Sequence, residues 1–551
     1  MNKTTLKLTV ALTLLSASIT SAMAAGVKDK GTALNVTFGS FKPTEYRIEQ
    51  KPNILIVVVD DLGYGQLNYD ESAYNKAHLA KLTIPERYQA DIDKAIAAAR
   101  QSTPVLHNLQ QQGIQMKQGF VAHGMSGPSR AAIMTSRAPS RYGIYSNDDA
   151  EKGVAVSETF MPEIFRNYGY ATAAIGKWHM SEITNVPVDE KQRTRDYHDN
   201  FITYSAEPFQ PQNRGFDSFF GYHNSGAAYY NSPSLFRDRH PTPAKGYLTD
   251  QLTDEAIKVI RHDRDKPFFL YLAYSAVHIP LEKMAPKQYQ IFNTGNKEVD
   301  NYYATLNAVD QNVGRIINTL KQTGQDENTL IFFLSDNGGV IDSPLPMNGQ
   351  FKANKGQTYS GGVHVPMFVY WKGHLQPGGV YNQIVSSMDI MPTALAAADI
   401  PLPLKLENKL DGVNLLPYLK GEKQNSPHEA LFWASPRAFH FDVKNIPFWR
   451  DYDSYVSGKS DHYPENPYRE SSSDFSWSVR NSQWTLHYYT GDQSYELYRA
   501  SDISEETNLA VQHPDVVASM KQDMLGWIKK SARPVTENNQ KKFDRMISGM
   551  Q

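Results

Sequence analysis

The sequence predicts an α/β fold: a large mixed, mostly parallel sheet flanked by helices, followed by a smaller C-terminal domain with a short antiparallel sheet and a helix. Three observations carry this. Continuous apolar runs, as expected of strands buried on both faces, recur from residue 53 onward. Amphipathic helical segments stand between them, the alternation that builds a parallel sheet. Near residue 425 the pattern changes to short strand-like runs that follow one another directly.

The elements follow in order. Asn53–Val59 reads as the first buried strand. Residues 70–101 read as an insertion before the first helix, with Pro85–Arg100 alanine- and charge-rich and helical. Thr103 is placed to cap a helix that begins at Pro104 and closes at Gly113. Another helix starts near Ser129, and Ala171–Ile175 is a strand. The polar stretch 185–212 reads as a long surface loop. Asp250–Arg261 is an amphipathic helix before the strand Phe268–Tyr274, and Asn301–Thr323 a longer one before the strand Thr329–Leu334. Val365–Trp371 is a further strand. Residues 440–475 are rich in Tyr, Pro, Ser and Asp without periodicity. Trp477–Arg480, Trp484–Tyr489 and Glu496–Tyr498 read as short antiparallel strands, and Pro514–Lys530 as a closing helix.

The ends and the composition bound the function. Lys3 and Lys7 precede an apolar run from Leu8 to Ile19 and then Ala22-Met23-Ala24. That is the pattern of a secretory signal peptide cut after Ala24, with an apolar run too short to span a bilayer. The expected division is a signal peptide at 1–24, a large domain at 25–425 and a C-terminal subdomain at 426–551, in a periplasmic or secreted protein without a membrane span. A net charge of −2 argues against nucleic acid as a partner. The absence of cysteine excludes a disulfide framework, a thiolate metal site and a lipidated cysteine.

Two strand ends are rich in oxygen ligands. The first strand runs into Asp60-Asp61-Leu62-Gly63, and the strand ending at Leu334 runs into Ser335-Asp336-Asn337-Gly338-Gly339. The carboxyl ends of parallel strands are where such sheets bind ligands. Adjacent acids on a regular strand point to opposite faces, so both converge only if the strand has ended by Asp61, with Gly63 permitting the turn. Three carboxylates and one amide oxygen, with no thiolate, suit a hard cation such as calcium. Taken singly, each motif is also an ordinary turn.

Residues 126–136 read Ser-Gly-Pro-Ser-Arg-Ala-Ala-Ile-Met-Thr-Ser. This run resembles the maturation signature of the formylglycine-dependent sulfatases, (Cys or Ser)-x-Pro-Ser-Arg-x-x-(Leu or Ile)-x-Thr. Gly176-Lys177-Trp178-His179, Ala276-Val277-His278-Ile279-Pro280 and Lys355-Gly356-x-x-Tyr359-x-Gly361-Gly362 resemble further motifs of that family, and the two acidic motifs match its metal motifs in order. The resemblance covers residues 50–420 and resumes weakly at 476–510. It implies an alkaline phosphatase-like architecture and a serine-type enzyme whose Ser126 is oxidised to formylglycine by a serine-type maturase. A hydrated aldehyde has one hydroxyl to attack sulfur and a second whose deprotonation later expels sulfate, whereas a plain serine would be trapped as an alkyl sulfate.

The resemblance also implies the roles. Arg130 holds the formylglycine, Lys177 and Lys355 contact sulfate, His179 orients a hydroxyl of the hydrate, and His278 protonates the leaving alcohol. Asp60, Asp61, Asp336 and Asn337, with the modified Ser126, hold a calcium ion. Ser360 stands where the family usually has Glu and His364 where it often has Arg, which bears on the support of Lys355; Met125 and Ser136 also depart from the pattern. The reading is hydrolysis of sulfate esters on a carbohydrate, a marine polysaccharide such as carrageenan, with Tyr222, His223, Asn224, Tyr229 and Tyr230 near the sugar pocket. A phosphoesterase or phosphonate hydrolase of the same superfamily, and a non-catalytic sulfoglycan-binding protein, are the alternatives.

Overall fold

The computed structural model describes residues 51–67, 88–340 and 348–436 apart from 196, 243, 263–264 and 282, and then 451, 454–455, 458–462, 475–490 and 493–550. The expected signal peptide, much of the insertion at 70–101 and much of 440–475 lie outside them.

In chain order the strands are β1 (Asn53–Val59), β2 (Ile114–Phe120), β3 (Ala171–Lys177), β4 (Ile183–Pro187), β5 (Phe201–Ser205), β6 (Ser218–Tyr222), β7 (Phe236–Arg237), β8 (His240–Pro241), β9 (Phe268–Ala273), β10 (Thr329–Ser335), β11 (Met367–Tyr370), β12 (Gly379–Ser386), β13 (Ala430–Ser435), β14 (Ser476–Asn481), β15 (Trp484–Tyr489) and β16 (Ser494–Arg499). The large sheet runs β12-β2-β11-β10-β1-β9-β3-β6-β7-β8, and β13-β14-β15-β16 form a separate antiparallel sheet. The pairs β10–β1, β1–β9, β9–β3 and β3–β6 are all parallel, while β11 is antiparallel to both of its neighbours.

β1 shows why this sheet is covered on both sides. Ile54, Ile56 and Val58 enter one apolar cluster, and Leu55, Val57 and Val59 enter the other. Each such side chain contributes about 1.5–3 kcal/mol on burial. The second sheet is tied in through Trp477 and Trp527, which share a cluster with Ala132 and Tyr145. Trp433 Nε1 also donates to the Val121 carbonyl at 2.8 Å.

Several expectations are corrected here. The stretch 185–212 is not one loop: β4 and β5 pair antiparallel across it. Its β-branched and aromatic residues are split by a polar segment that hides two short strands. β2, β6, β12, β13 and the helix Glu537–Met550 were also missed. β2 alternates buried and exposed positions, so it has no continuous apolar run. The helix expected at Pro85–Arg100 spans Ile92–Ser102, with Asp91 accepting from Lys94 N.

Thr103 precedes the helix Pro104–Gln112, but its side chain makes no cap hydrogen bond. Asp310, on the long helix Lys297–Gln322, does that work instead, accepting from Val105 N at 3.1 Å and Leu106 N at 2.7 Å. These are two of the amides a helix start leaves without partners. Burial pushes the Asp310 carboxyl up to about 7, against the pull of those two amides. A folded pKa above the unfolded one means that the folded state binds more protons between pH 4 and 7, so this group lowers stability as pH rises through that window. In chemical denaturation, Asp310→Asn should therefore gain on the wild type as pH goes from 5 to 8. A pH-independent difference between the two would contradict this.

Candidate active site

Parallel pairing in step puts four strand ends in one row. Val59 pairs with Ser335, Val58 with Ala273, and Gly176 with the same Ala273. The residues just beyond are Asp60 and Asp61, Asp336 and Asn337, and the segment leading to His278, with Lys177 closing β3. The chain stops being a strand at Val59, as the paired acids require, but the turn is made by Asp61 itself. Its φ is 59°, while Gly63 is extended at −69°. Asp61 N donates to Asp336 Oδ1 at 3.2 Å, and Leu62 N to Ser335 Oγ at 2.9 Å, which stitches the two strand ends together. Gly338 permits a close approach: a Cβ there would lie 1.8 Å from the Gly361 carbonyl oxygen.

Ser126 is the first residue of the buried helix Ser126–Thr135. Its Oγ lies 3.2 Å from Asp60 Oδ1 and 3.1 Å from Asn337 Oδ1. One turn on, Arg130 Nε and Nη2 both donate to Asp336 Oδ2, at 3.0 and 2.7 Å, and Nη2 is 3.7 Å from Asp60 Oδ1. Ser126 and Arg130 thus converge on one oxygen of Asp60, as their four-residue spacing predicts.

The remaining groups close on the two aspartates. Lys177 Nζ is 2.7 Å from Asp60 Oδ2, and Lys355 Nζ is 2.7 Å from Asp61 Oδ1. His278 Nε2 is 3.6 Å from Asp61 Oδ2, while its Nδ1 faces the Ile279 carbonyl. His179 Nε2 lies 3.3 Å from Glu151 Oε1. Every sequence-predicted site residue is therefore in this constellation, with His179 joined to it through the shared field of the lysines and Arg130.

The electrostatics follow from three buried carboxylates facing three cations. Burial pushes Asp60 up, but Lys177, His278 and Arg130 outweigh it and hold the carboxyl down at about 2. Asp61 is lowered in the same way by Lys355 and His278 against burial. Lys355 is raised, because Asp61 and Asp60 outweigh its burial, whereas Lys177 is lowered by its burial despite Asp60. Burial and Lys355 hold His278 down at about 4, so its imidazole is neutral at pH 7, and burial with Lys177 holds His179 well below the usual imidazole range. Removing one member of such a set leaves a buried charge uncompensated, at a cost of about 3–5 kcal/mol.

Comparison with known proteins agrees with this geometry. A family model described as Sulfatase matches residues 52–400. The chain belongs to the sulfatase family. It is 52% identical to "Uncharacterized sulfatase YdeN" of Escherichia coli (strain K12), over 99% of this chain and 98% of that one. It is 28% identical to the N-acetylgalactosamine-6-sulfatase of Homo sapiens, over 76% of this chain and 78% of that one. Among solved structures it is similar to Ps i-CgsB in complex with k-i-k-neocarrahexaose, with a TM-score of 0.67, 26% identity, and 91% and 98% of the two chains covered. This sulfatase is a sulfuric ester hydrolase in the alkaline phosphatase-like fold.

Residues outside the sequence motifs also meet the groups of this constellation. Glu151 meets His179, and Asn147 Oδ1 accepts from Gly127 N at 3.0 Å behind Ser126. The Tyr271 hydroxyl, on β9, lies 3.5 Å from Arg130 Nη1. No motif marks these positions; only the fold brings them in. The departures at Ser360 and His364 are supported from elsewhere. Ser360 N donates to Glu505 Oε2 at 2.9 Å, Gly356 is held by Ser435 Oγ on its carbonyl, and His364 Nε2 meets the Lys117 carbonyl. Tyr222, His223, Asn224 and Tyr229 are buried, and Tyr229 donates its hydroxyl hydrogen to the His278 carbonyl at 2.8 Å.

Sulfatases generally use formylglycine and a divalent metal, and the donor set here fits a divalent cation. Asp60, Asp61 and His278 bring ligand atoms within 4.8 Å of one another, Asp336 adds an oxygen beside Asp61, and Asn337 donates its amide nitrogen to Asp61 at 2.7 Å while its oxygen faces Ser126. A cation bound only by the folded state stabilises it. Calcium should therefore raise the unfolding temperature of chelator-treated protein, and Asp336→Asn should remove most of that gain. Stabilisation by zinc but not calcium would point to His278 as a ligand and break the all-oxygen assignment.

Proposed function

We propose that this sulfatase removes sulfate from a sulfated galactan such as carrageenan, outside the cytoplasm, using a formylglycine made from Ser126 by a serine-type maturase. The observation that carries this is Ser126 Oγ, held 3.2 and 3.1 Å from Asp60 and Asn337 inside a ring of three carboxylates and three cations. The carbohydrate class is supported by the likeness to Ps i-CgsB, whose structure holds a neocarrahexaose. The secretory signal pattern at 1–24 supports a periplasmic or secreted location.

Asp60, Asp61, Asp336 and Asn337, with the converted Ser126, would hold calcium, which supplies positive charge to the sulfate oxygens when bound. The formylglycine hydrate supplies one hydroxyl for attack on sulfur and another whose deprotonation releases sulfate. The chain's own groups do the rest. Arg130 fixes Asp336 and the end of the helix that carries Ser126. Lys177 and Lys355 turn from Asp60 and Asp61 to the nonbridging oxygens of the ester, where charge grows. Glu151 orients His179 toward the nucleophile. His278 commits its Nδ1–H to the Ile279 carbonyl, which leaves Nε2 bare in the neutral ring, so Nε2 must first take up a proton as the bound ester offsets Lys355 and then delivers it to the leaving oxygen.

Conversion of Ser126 removes two hydrogens from the peptide that contains it, which mass spectrometry of active protein should show. Ser126→Ala should lose turnover while keeping the fold, since a change at a helix start costs about 1 kcal/mol. Activity retained in that variant would sink the nucleophile assignment.

Leaving groups separate the roles of His278 and Lys355. A sugar alkoxide needs protonation as its bond breaks, and a nitrophenolate needs far less. His278→Ala should depress kcat on sugar sulfates about 10²–10⁴-fold and on aryl sulfates much less. Lys355→Ala should depress both. Equal losses on the two substrate types for His278→Ala would leave it only a sulfate contact.

A further inference from the structure

Beside the catalytic row, a cavity of about 330 Å³ lies where β2, the turn Ser360–His364 and the ends of β14 and β16 meet. None of the catalytic or metal-holding residues lines it. The volume is at the small end of ligand pockets, which run from roughly 300 to 1,000 Å³. Its mouth is open to water: Ser482 and Ser501 are exposed there, and Ile503 is 39% exposed.

One charged group inside it is unusual. Arg480 is 4% exposed, and its partners are all neutral: Thr485 Oγ1 at 2.8 Å, the Ala500 carbonyl at 3.0 Å and Gln118 Oε1 at 3.4 Å. Its Nε has no acceptor among the described residues. The acid that acts on it electrostatically, Glu505, is committed to His487 at 3.0 Å and to Ser360 N. A buried guanidinium without a paired anion is costly, and a ligand anion removes that cost. Aromatic side chains also line the cavity. The rings of Phe351 and His364 stack at 4.3 Å and 17°, and Tyr64 lies 4.8 Å from each. His364 holds the Lys117 carbonyl, and burial keeps it uncharged. Ser360 and His364, the two departures from the sulfatase pattern next to Lys355, both line this cavity. A hydroxyl thus stands where the family's carboxylate would add negative charge.

We propose that this cavity is a second binding site, which takes a single ring carrying one oxyanion, a carboxylate or a sulfate. The anion pairs with Arg480, and the ring face lies on Tyr64, Phe351 and His364. Guanidinium recognises both anions through the same planar fork, and aromatic walls suit the face of a sugar ring. The site does not depend on conversion of Ser126 or on the proposed substrate.

Calorimetric titration of the Ser126→Ala protein tests it, because that protein cannot consume a sulfated probe. Galacturonate and galactose 6-sulfate distinguish the two anions, and galactose and inorganic sulfate serve as the ring alone and the anion alone. At least one ring anion should bind about tenfold or more tighter than either control. Arg480→Gln should weaken that binding by a similar factor. Ser501→Trp, at the exposed mouth, should abolish it while leaving hydrolysis of an aryl sulfate by otherwise unaltered enzyme unchanged, and it decides the matter if the Arg480 variant does not fold. Absence of binding by both ring anions at millimolar concentration overturns the proposal. So does inorganic sulfate binding as tightly as the rings, or binding lost in Lys355→Ala but kept in Ser501→Trp, which would place the ligand in the catalytic site.

Discussion

The in-step parallel pairing of β1 with β10 and β9 is the constraint on which the site depends. Because Val59 meets Ser335 and Val58 meets Ala273, three strands end at the same height. A slip of one residue would turn every side chain of a strand to the other face. Here it would move Asp60 away from Ser126 and also expel Ile54, Ile56 and Val58 from their cluster. The same apolar alternation that makes the core therefore sets the height of the strand-end acids, which inherit the rigidity of a sheet covered on both faces.

Burying so much charge is possible because nearly every charge has a short-range opposite. Arg130 grips Asp336 with two nitrogens, and the two lysines sit on the two adjacent aspartates. The backbone bears strain to allow it. Asp61 occupies the left-handed region, as does His179, a conformation that costs most residues of order 1–3 kcal/mol. Such strain persists only where the surroundings over-determine it, as the hydrogen bonds from Asp61 N and Leu62 N to β10 do.

The second sheet is more than an appendage. Ser435 and Glu505 hold the segment that carries Lys355, and Lys352 reaches Tyr498 at 2.9 Å. A family position that usually supplies its own carboxylate is a serine here, and the carboxylate comes instead from a residue 145 positions away. That exchange also shapes the neighbouring cavity around Arg480. Glu505 thus both supports the segment that carries Lys355 and acts electrostatically on Arg480.

The sequence by itself determined the buried strands, the long helices and the motif residues of the site. Continuous apolar runs such as Asn53–Val59 admit few other structures, and Asp60, Ser126, Lys177, His278 and Lys355 each stand in a motif at a strand end or helix start. Strands of mixed polarity such as β2 and β4 were illegible, because their partners, not their own pattern, make them strands. Only the tertiary structure decided which residue turns after β1, which carboxylate caps Pro104–Gln112, and that Glu151 meets His179, Tyr271 meets Arg130 and Glu505 accepts from Ser360 N. The physical reason is the same in each case. Local sequence dictates backbone propensity and burial, whereas pairing of charges and amides far apart in the chain is set by strand register and by the packing of one sheet on another.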